Sequence, residues 1–216
     1  MPEPCFEFSP EATRRGFSGD QPWLYSGDLL LRPFRERDAP LIARNCAPKE
    51  IAAMTRTIPH PYRIEDAHMV IEKAQLWWKD QSKVIFAICP RSDDEVYGAV
   101  GLSTDLIDLR AEVGYNIGME FWNQGIASRA VRAVLPFGFQ VLCLRKICAH
   151  YLSHNPASGK VLAKCGFVKE GTMREQAWKW GEVFDLIAVG LLRQEWAESS
   201  LAAETHVEIV AAPKQS

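Results

Sequence analysis

The sequence predicts an α/β domain built on a mixed β-sheet that carries helices on its faces. The chain has 216 residues, of which 47% are hydrophobic and 24% charged, and such a chain can bury one full core. Segments with strand and helix periodicity follow each other in the order β-α-α-β-β-β-α-β-α-β-β, without an internal repeat. This order has no repeated βαβ units, and no G-x-G-x-x-G follows the first strand, so a nucleotide-binding dehydrogenase is excluded.

The first third of the chain predicts an arm, a strand and two helices. Residues 1–28 are rich in Pro, Gly, Ser and charged residues, and they predict an irregular arm with Trp23 as a candidate anchor. Residues 29–34 form the first clear strand, and the charged residues 35–38 open a helix. A second helix starts near Glu65, where acidic residues suit the positive end of the helix dipole.

One face of the second helix is predicted to be buried. Its apolar residues recur at the spacing of a helical stripe: Ala67, Val70, Ile71, Ala74, Trp77 and Trp78. This spacing favours core packing over a cofactor site for the two tryptophans.

Three strands are predicted in the middle of the chain. The first covers residues 84–88 and is followed by a turn at residues 91–94. The other two cover residues 96–102 and 111–117, with a loop at residues 105–110 between them.

A helix over residues 125–139 contains Pro136. An interior proline costs about 3 kcal/mol in a helix, so a kink or an early end is expected there. A strand at residues 146–151 follows, and then a short helix at residues 157–164 with Asn155 as its N-cap.

Two last strands, at residues 167–173 and 183–192, form a hairpin with its tip at Lys179-Trp180-Gly181. Exposed Trp178 and Trp180 near this tip would border a substrate or a dimer contact, and core packing is the alternative. The tail at residues 198–216 has weak signals, with a stray strand at its Val207-Glu208-Ile209-Val210 run.

Charge and cysteine content bound the partners and the compartment. The formal net charge is −2, whereas a general nucleic-acid binder has a basic footprint. The six cysteines, including Cys5 and Cys143, are scattered without a C-x-x-C pair, which predicts reduced and mostly buried thiols and a cytoplasmic location. Because neither a signal peptide nor a membrane-spanning run is expected, a membrane is not an expected partner. Because the net charge is not basic, a nucleic acid is not an expected partner either.

The run from Tyr115 to Ser128 predicts an anion-binding loop. A strand passes through a short loop into a helix whose first turn is small, with Gly125, Ala127 and Ser128. Free N–H groups and the partial positive charge of a helix N-terminus favour a pyrophosphate there. A glycine at a helix start is more often only a tight turn, so this pattern alone is a weak signal.

This loop belongs to a series of motifs in which the sequence resembles the GNAT superfamily of N-acetyltransferases, closest to the branch that acetylates ribosomal-protein N-termini. The motifs occur in the family's order and spacing: Leu31-Arg32-Pro33 with Asp38-Ala39, Phe86-Ala87-Ile88, Gly98 to Gly101, Ala111-Glu112-Val113-Gly114-Tyr115, Trp122-Asn123-Gln124-Gly125-Ile126-Ala127, Asn155-Pro156-Ala157-Ser158, Cys165-Gly166-Phe167, Gly171-Thr172-Met173-Arg174-Glu175 and Asp185. Trp122 departs from the general loop pattern but matches this branch. The resemblance covers about residues 29–197, which are expected to form the acetyltransferase domain.

The resemblance implies a mostly antiparallel sheet of seven strands, in which two neighbouring strands splay apart and bind acetyl-CoA between them. It implies that the cofactor contacts the following residues: Ile117, Met119, Trp122, Asn123, Gln124, Gly125, Ile126, Ala127, Ser128, Asn155 and Ser158. Lys160 either reaches the 3′-phosphate of CoA or is simply solvated. No metal is expected, because His150 and His154 fall across a strand end and a loop.

Direct attack of an amine on the thioester, as in GNAT enzymes, needs a proton acceptor, donors for the oxyanion and a proton for the departing thiolate. By resemblance, a backbone N–H of the strand at residues 111–117 is the oxyanion donor, and Glu112 is the candidate base. Glu175 is a second candidate. Some relatives that acetylate ribosomal proteins carry their proposed base two residues later, where this chain has Ala177, and strand alternation would put residues 175 and 177 on the same face. Asn155 is expected to position the amine or pantetheine, and Asp185 to be structural.

Ser158 is the candidate proton donor to the thiolate in this branch. Many other GNAT enzymes place a tyrosine one turn later, where this chain has Leu162. The alternative is that Ser158 is an ordinary serine in the first turn of a helix, without a role in the reaction.

The acceptor is left open by the sequence. The leading hypothesis is a protein N-terminal α-amine, such as that of a ribosomal protein, and a small-molecule amine (polyamine, aminoglycoside or amino-acid analogue) is the alternative. A CoA-binding sensor without catalysis is a third hypothesis. A homodimer is expected from the resemblance alone.

Overall fold

The computed structural model describes residues 17–92 and 95–212, and it organises them around one β-sheet. The strands are β1 (Trp23–Ser26), β2 (Leu29–Arg32), β3 (Lys83–Pro90), β4 (Gly98–Asp105), β5 (Arg110–Ile117), β6 (Lys146–Leu152), β7 (Val168–Lys179), β8 (Glu182–Leu192) and β9 (Glu208–Val210). Their order in the sheet is β7-β8-β6-β5-β4-β3-β2-β1-β9. Every neighbouring pair among them is antiparallel except β5 and β6, which confirms the predicted mixed, mostly antiparallel sheet.

The predicted count of seven strands is wrong, because the described chain contains nine. The short strand β1 lies inside the arm that was predicted to be irregular, and it pairs with β2 on one side and β9 on the other. The stray strand expected near the C-terminus is therefore real and extends the same edge. Of the predicted arm, turn and tail, residues 1–16, 93–94 and 213–216 lie outside the described residues, and so does Cys5.

Seven helices accompany the described strands: α1 (Ala39–Cys46), α2 (Lys49–Met54), α3 (Ile64–Lys79), α4 (Ile126–Pro136), α5 (Pro156–Lys164), α6 (Arg193–Glu198) and α7 (Ser200–Glu204). The α-helical hydrogen bonding of α4 ends at Pro136, which confirms the expected early end. The chain then forms a π-helical turn (Phe137–Val141). The helix α2 was not predicted, since its six residues have no full apolar period.

The sheet separates two apolar layers. On one face α4 packs against the central strands, with Phe86 and Phe137 in edge-to-face contact at 5.8 Å between ring centroids. On the other face α1 and α3 cover β2 and β3. Four residues of α3 are buried: Ala67, Ile71 and Ala74 in this second layer, and Trp78 in the first. The predicted stripe is thus confirmed for these four, whereas Val70 and Trp77 are only half-buried because they face a cavity.

A buried ion pair joins the start of α1 to the sheet. The guanidinium of Arg32 donates to both carboxylate oxygens of Asp38 at 2.6 and 2.9 Å, and both side chains are about 1–2% exposed. Asp38 also accepts a hydrogen bond from the backbone N–H of Arg35 at 2.7 Å. Because each buried charge has partners, the pair fixes the chain direction after β2.

The cysteines are mostly buried, as predicted. Cys46 and Cys165 are free thiols whose pKa values burial raises to about 12 and about 11. Cys143 is disulfide-bonded, so the expectation of reduced thiols is wrong for this residue. Within residues 17–92 and 95–212, none of the helices has the length and apolar character required to cross a membrane.

Candidate active site

The strands β5 and β6 separate after a short paired segment. Their parallel pairing is limited to residues 110–112 of β5 and 146–148 of β6. Beyond it, β5 stays paired with β4 as far as Ile117, and β6 stays paired with β8 as far as Leu152. The facing edges diverge into a cavity of about 1200 Å³, and the backbone groups of β5 that face β6 there have no strand partner.

The loop before α4 lines one side of this cavity. Asn123 and Gly125 adopt left-handed conformations, with φ values of 61° and 73°, which turn the chain sharply into the helix. Gly125 is the N-cap of α4, and glycine adopts a positive φ without steric cost. The free N–H groups of the first turn of α4 therefore face the cavity beside the small residues Ala127 and Ser128.

The indole of Trp122 fastens this loop to the end of β5, since its N–H donates to the carbonyl of Ile117 at 2.8 Å. Six of the predicted loop residues line the cavity: Trp122, Asn123, Gly125, Ile126, Ala127 and Ser128. Ile117 lines it as well. Met119 and Gln124 do not line it, and the side chain of Gln124 donates back to the carbonyl of Glu120 at 3.1 Å. The cofactor contact of these two residues stays a prediction.

Asn155 has the N-cap role that its position predicts. Its Oδ1 accepts a hydrogen bond from the backbone N–H of Ser158 at 3.1 Å, in the first turn of α5. Its Nδ2 donates to the carbonyl of Met54 at 3.0 Å. The side chain therefore joins α5 to the end of α2 at the cavity wall.

Ser158 is in contact with a tyrosine that the sequence analysis did not single out. The hydroxyl of Tyr115 lies 2.8 Å from Ser158 Oγ and 3.2 Å from the carbonyl oxygen of the same serine. Burial raises the pKa of Tyr115 above its usual value, so the phenol stays protonated near neutral pH. Leu162, one turn later, is buried and offers no proton. The two hydroxyls thus lie within hydrogen-bond distance of each other at the cavity.

Glu112 sits where the two strands separate, and it lies beside a histidine. Its Oε1 is 3.1 Å from Nδ1 of His150, although the two groups are not aligned as a hydrogen bond. Glu112 is 38% exposed and His150 is 24% exposed, so the carboxylate is accessible from the cavity. From the sequence, His150 is a candidate only for a metal site. Within the described chain no three His, Cys, Asp or Glu side chains form a metal-binding group.

Glu175 does not join this site. The ladder between β7 and β8 is interrupted between Met173 and Ala177, so the predicted alternation of residues 175 and 177 is wrong. Ala177 is buried, whereas Glu175 is exposed with a φ of 51°. The carboxylate of Asp185 accepts the backbone N–H of Glu175 at 2.8 Å and thereby holds this irregularity, which agrees with the structural role expected for Asp185.

Of the remaining predicted residues, one lines the cavity and the others lie on the β7–β8 hairpin. Lys160 is exposed on α5 and lines the cavity. Trp178 and Trp180 are 72% and 51% exposed, so core packing is excluded for both. Trp180 contacts His60 and Lys49, and the ammonium of Lys179 donates to the carbonyls of Thr55 and Ile58 at 2.6 and 3.1 Å. The β7–β8 hairpin therefore supports the segment between α2 and α3.

Known proteins match this sequence and this fold. Residues 28–168 match the family described as acetyltransferase (GNAT) domain. An uncharacterized N-acetyltransferase of Bacillus licheniformis is 30% identical over 175 residues, which are 81% of this chain and 98% of that protein. The ribosomal-protein-S5-alanine acetyltransferase from Vibrio fischeri is similar in structure, with a TM-score of 0.70 and 25% identity over 80% of this chain and 98% of its own.

A further solved structure is that of spermidine N-acetyltransferase from Vibrio cholerae in complex with CoA and spermine. It has a TM-score of 0.69 and 23% identity, and the match covers 79% of this chain and 99% of that one. At this identity the likeness concerns the fold alone.

Proposed function

Because this chain belongs to the acetyltransferase (GNAT) family and is an N-acetyltransferase, we propose that it transfers the acetyl group of acetyl-CoA directly to a protein N-terminal α-amine in the cytoplasm. The observation that carries the proposal is the separation of β5 from β6, with Glu112 and Tyr115 on β5 at the edge of the cleft and Ser158 of α5 in contact with Tyr115. We further propose that residues 29–197 form the catalytic domain.

The cleft fits acetyl-CoA. Left-handed Gly125 exposes the first N–H groups of α4, which suit a pyrophosphate, and the neighbouring Ala127 and Ser128 leave room for it. Lys160 lies on the same side and would attract the 3′-phosphate. Acetyl-CoA supplies the activated acetyl group, and the unpaired N–H groups of β5 would donate to its carbonyl oxygen.

Glu112 would accept the proton of the attacking amine, directly or through water. An α-amine has a pKa of about 7.7–8.0, so roughly a fifth of it is neutral near pH 7.3, against about one in a thousand for a lysine side chain. An exposed carboxylate is therefore a sufficient base for an N-terminal acceptor. Ser158, hydrogen-bonded to Tyr115, would return a proton to the thiolate as it leaves.

The charge of the cleft favours this acceptor over a polyamine. Asp66 and Glu112 are the two carboxylates among the described residues that line the cavity, whereas five lysine or arginine side chains line it. Lys160 and Lys164 lie on α5, the helix proposed to lie beside the phosphates of CoA, and the three that remain for the acceptor are Arg56, Lys73 and Lys83. A polyamine carries several positive charges and would be repelled. A sensor without catalysis is disfavoured because Glu112, Ser158 and Tyr115 all reach the cleft.

A thiol-release assay with acetyl-CoA tests the proposal. The acceptors are peptides with free Ala, Ser or Met N-termini, the same peptides with acetylated N-termini, spermidine and an aminoglycoside. Release with the free peptides alone supports the proposed acceptor, and mass spectrometry locates the acetyl group on the α-amine. Release with spermidine or the aminoglycoside alone contradicts it.

Removal of either hydroxyl of the pair is expected to slow the reaction by about tenfold. This is less than the roughly 100-fold or more that general acid catalysis usually contributes, because a thiolate leaves well with little assistance. The variants are Ser158→Ala and Tyr115→Phe. Since the two hydroxyls act as one unit, the double variant is expected to lose little more than either single variant. Steady-state kcat with a peptide acceptor measures this, and fully multiplicative losses would show that the two groups act independently.

A further inference from the structure

The acceptor half of the cavity carries a lysine that the proposed reaction leaves without a role. Lys83 is the first residue of β3, and its side chain lines the cavity on the face covered by α3. We infer that Lys83 forms a carboxylate-binding subsite, and that the preferred acceptors are amines with an acidic group a short distance away. This inference rests on the proposed function and specifies its acceptor.

The position of Lys83 relative to Glu112 sets the distance between amine and acid. In the sheet Lys83 pairs with Ser103 of β4, and Ser103 pairs with Glu112 of β5. The three residues therefore form one row across three strands, and two strand spacings amount to about 9.5 Å. An amine near Glu112 and a carboxylate near Lys83 would be separated by a distance of this order or less, according to how far the two side chains lean toward each other. An acidic side chain at the first or second position of a peptide spans such a distance.

The surroundings of Lys83 favour an anion. Its ammonium lies over the ring of Trp77 at 4.8 Å from the centroid, and burial lowers its pKa while the charge of Glu112 raises it. An anion placed beside a desolvated ammonium restores interactions that water would otherwise provide. Ser103, the neighbour of Lys83 on β4, adds a hydroxyl to the cavity wall.

The other charged groups of this half do not cancel the subsite. Arg56 and Lys73 are exposed at the mouth and add positive charge. Asp66, at the start of α3, already accepts a hydrogen bond from the backbone N–H of Arg63 at 2.8 Å. Glu112 lies at the opposite end of the row beside His150. Along the row, the charge of the cavity wall thus changes from negative at Glu112, where the amine would react, to positive at Lys83, where an acidic group would bind.

The test compares matched acceptors. The peptides are C-terminally amidated hexapeptides that begin Ala-Glu, Ala-Gln or Ala-Lys and are otherwise identical. A small-molecule arm compares 4-aminobutanoate with 4-aminobutanamide. The enzymes are the wild type, Lys83→Gln, the charge-conserving Lys83→Arg, and Lys79→Gln as a control, since Lys79 is exposed on α3 and does not line the cavity.

The wild type is expected to prefer Ala-Glu over Ala-Gln by about tenfold in kcat/KM, the scale of one charge-assisted hydrogen bond. Lys83→Gln should reduce this ratio to about one, whereas Lys83→Arg and Lys79→Gln should keep it. Equal rates with all peptides, or a ratio that Lys83→Gln leaves intact, would overturn the subsite. A preference for the small acid over its amide without any peptide acetylation would retain the subsite and overturn the protein acceptor. No acetylation in either arm would overturn both.

Discussion

Replacement of Glu112 by Gln is expected to lower kcat/KM for a peptide α-amine by about 100-fold, the lower end of what a positioned base contributes. The amide is isosteric with the carboxylate but cannot take a proton. The change leaves the pairing of β5 with β4 and β6 intact, because Glu112 joins both ladders through its backbone. Acetyl-CoA binding, measured by calorimetry, should stay within twofold of wild type.

Glu72→Gln is the matched control. Glu72 is an exposed carboxylate on α3 that does not line the cavity, so this variant should keep wild-type kinetics. A Glu112→Gln enzyme with wild-type turnover would remove Glu112 from the reaction and leave His150 or bulk water as the acceptor of the proton.

The pH dependence of the Glu112→Gln variant separates a base from a merely structural carboxylate. Without the base, the reaction depends on amine that is already neutral, and this fraction rises from roughly a fifth near pH 7.3 to more than about 90% near pH 9. The residual rate should therefore rise about fivefold over this range. If the wild-type enzyme shows the same rise, Glu112 does not take the proton of the amine, and the loss in the variant comes from misplacement of the acceptor instead.

Much of the fold and part of the site follow from local patterns. The central strands, the helix stripe of α3 and the early end of α4 at Pro136 depend on residues close together in the chain, so periodicity and proline chemistry predict them. The same is true of Asn155 as an N-cap, whose partner Ser158 is three residues away. The loop that ends in Gly125 is readable because a positive φ selects glycine.

Features that depend on distant partners were not predictable in this way. The short strand β1 pairs with β2 and β9, and its four residues are too few to show an alternating pattern from which this pairing could be predicted. Glu175 was misjudged because an irregularity held by Asp185 breaks strand alternation. The contacts of Tyr115 with Ser158 and of His150 with Glu112 join residues 43 and 38 positions apart, respectively, so only the folded sheet reveals them. The position of Lys83 in one row with Ser103 and Glu112 depends on the pairing of three strands, so the sequence alone did not indicate it.

A second large loss of activity is expected from Gly114→Leu, which would fill the cleft without disturbing the sheet. Gly114 lies between Glu112 and Asn116 on β5 and lines the cavity, and a Cβ added there would meet no atom within 4 Å. Its cross-strand partner Gly101 is different, since a Cβ there would lie 2.5 Å from the carbonyl oxygen of Val84. A side chain is therefore tolerated at position 114 by the fold but projects into the space where the amine approaches.

The expected loss in kcat/KM for Gly114→Leu is about 100-fold, because a displacement of about 1 Å between reacting groups already costs this much. Thermal unfolding should change little, and so should that of the control Gly171→Leu, whose added Cβ is also unopposed but lies on β7 outside the cavity. The control should retain activity. If the Gly114→Leu enzyme acetylates peptides at the wild-type rate, the amine must approach from another side of β5. The acceptor would then not bind along the row from Glu112 to Lys83. A loss of both activity and stability would instead show that position 114 is packed in solution.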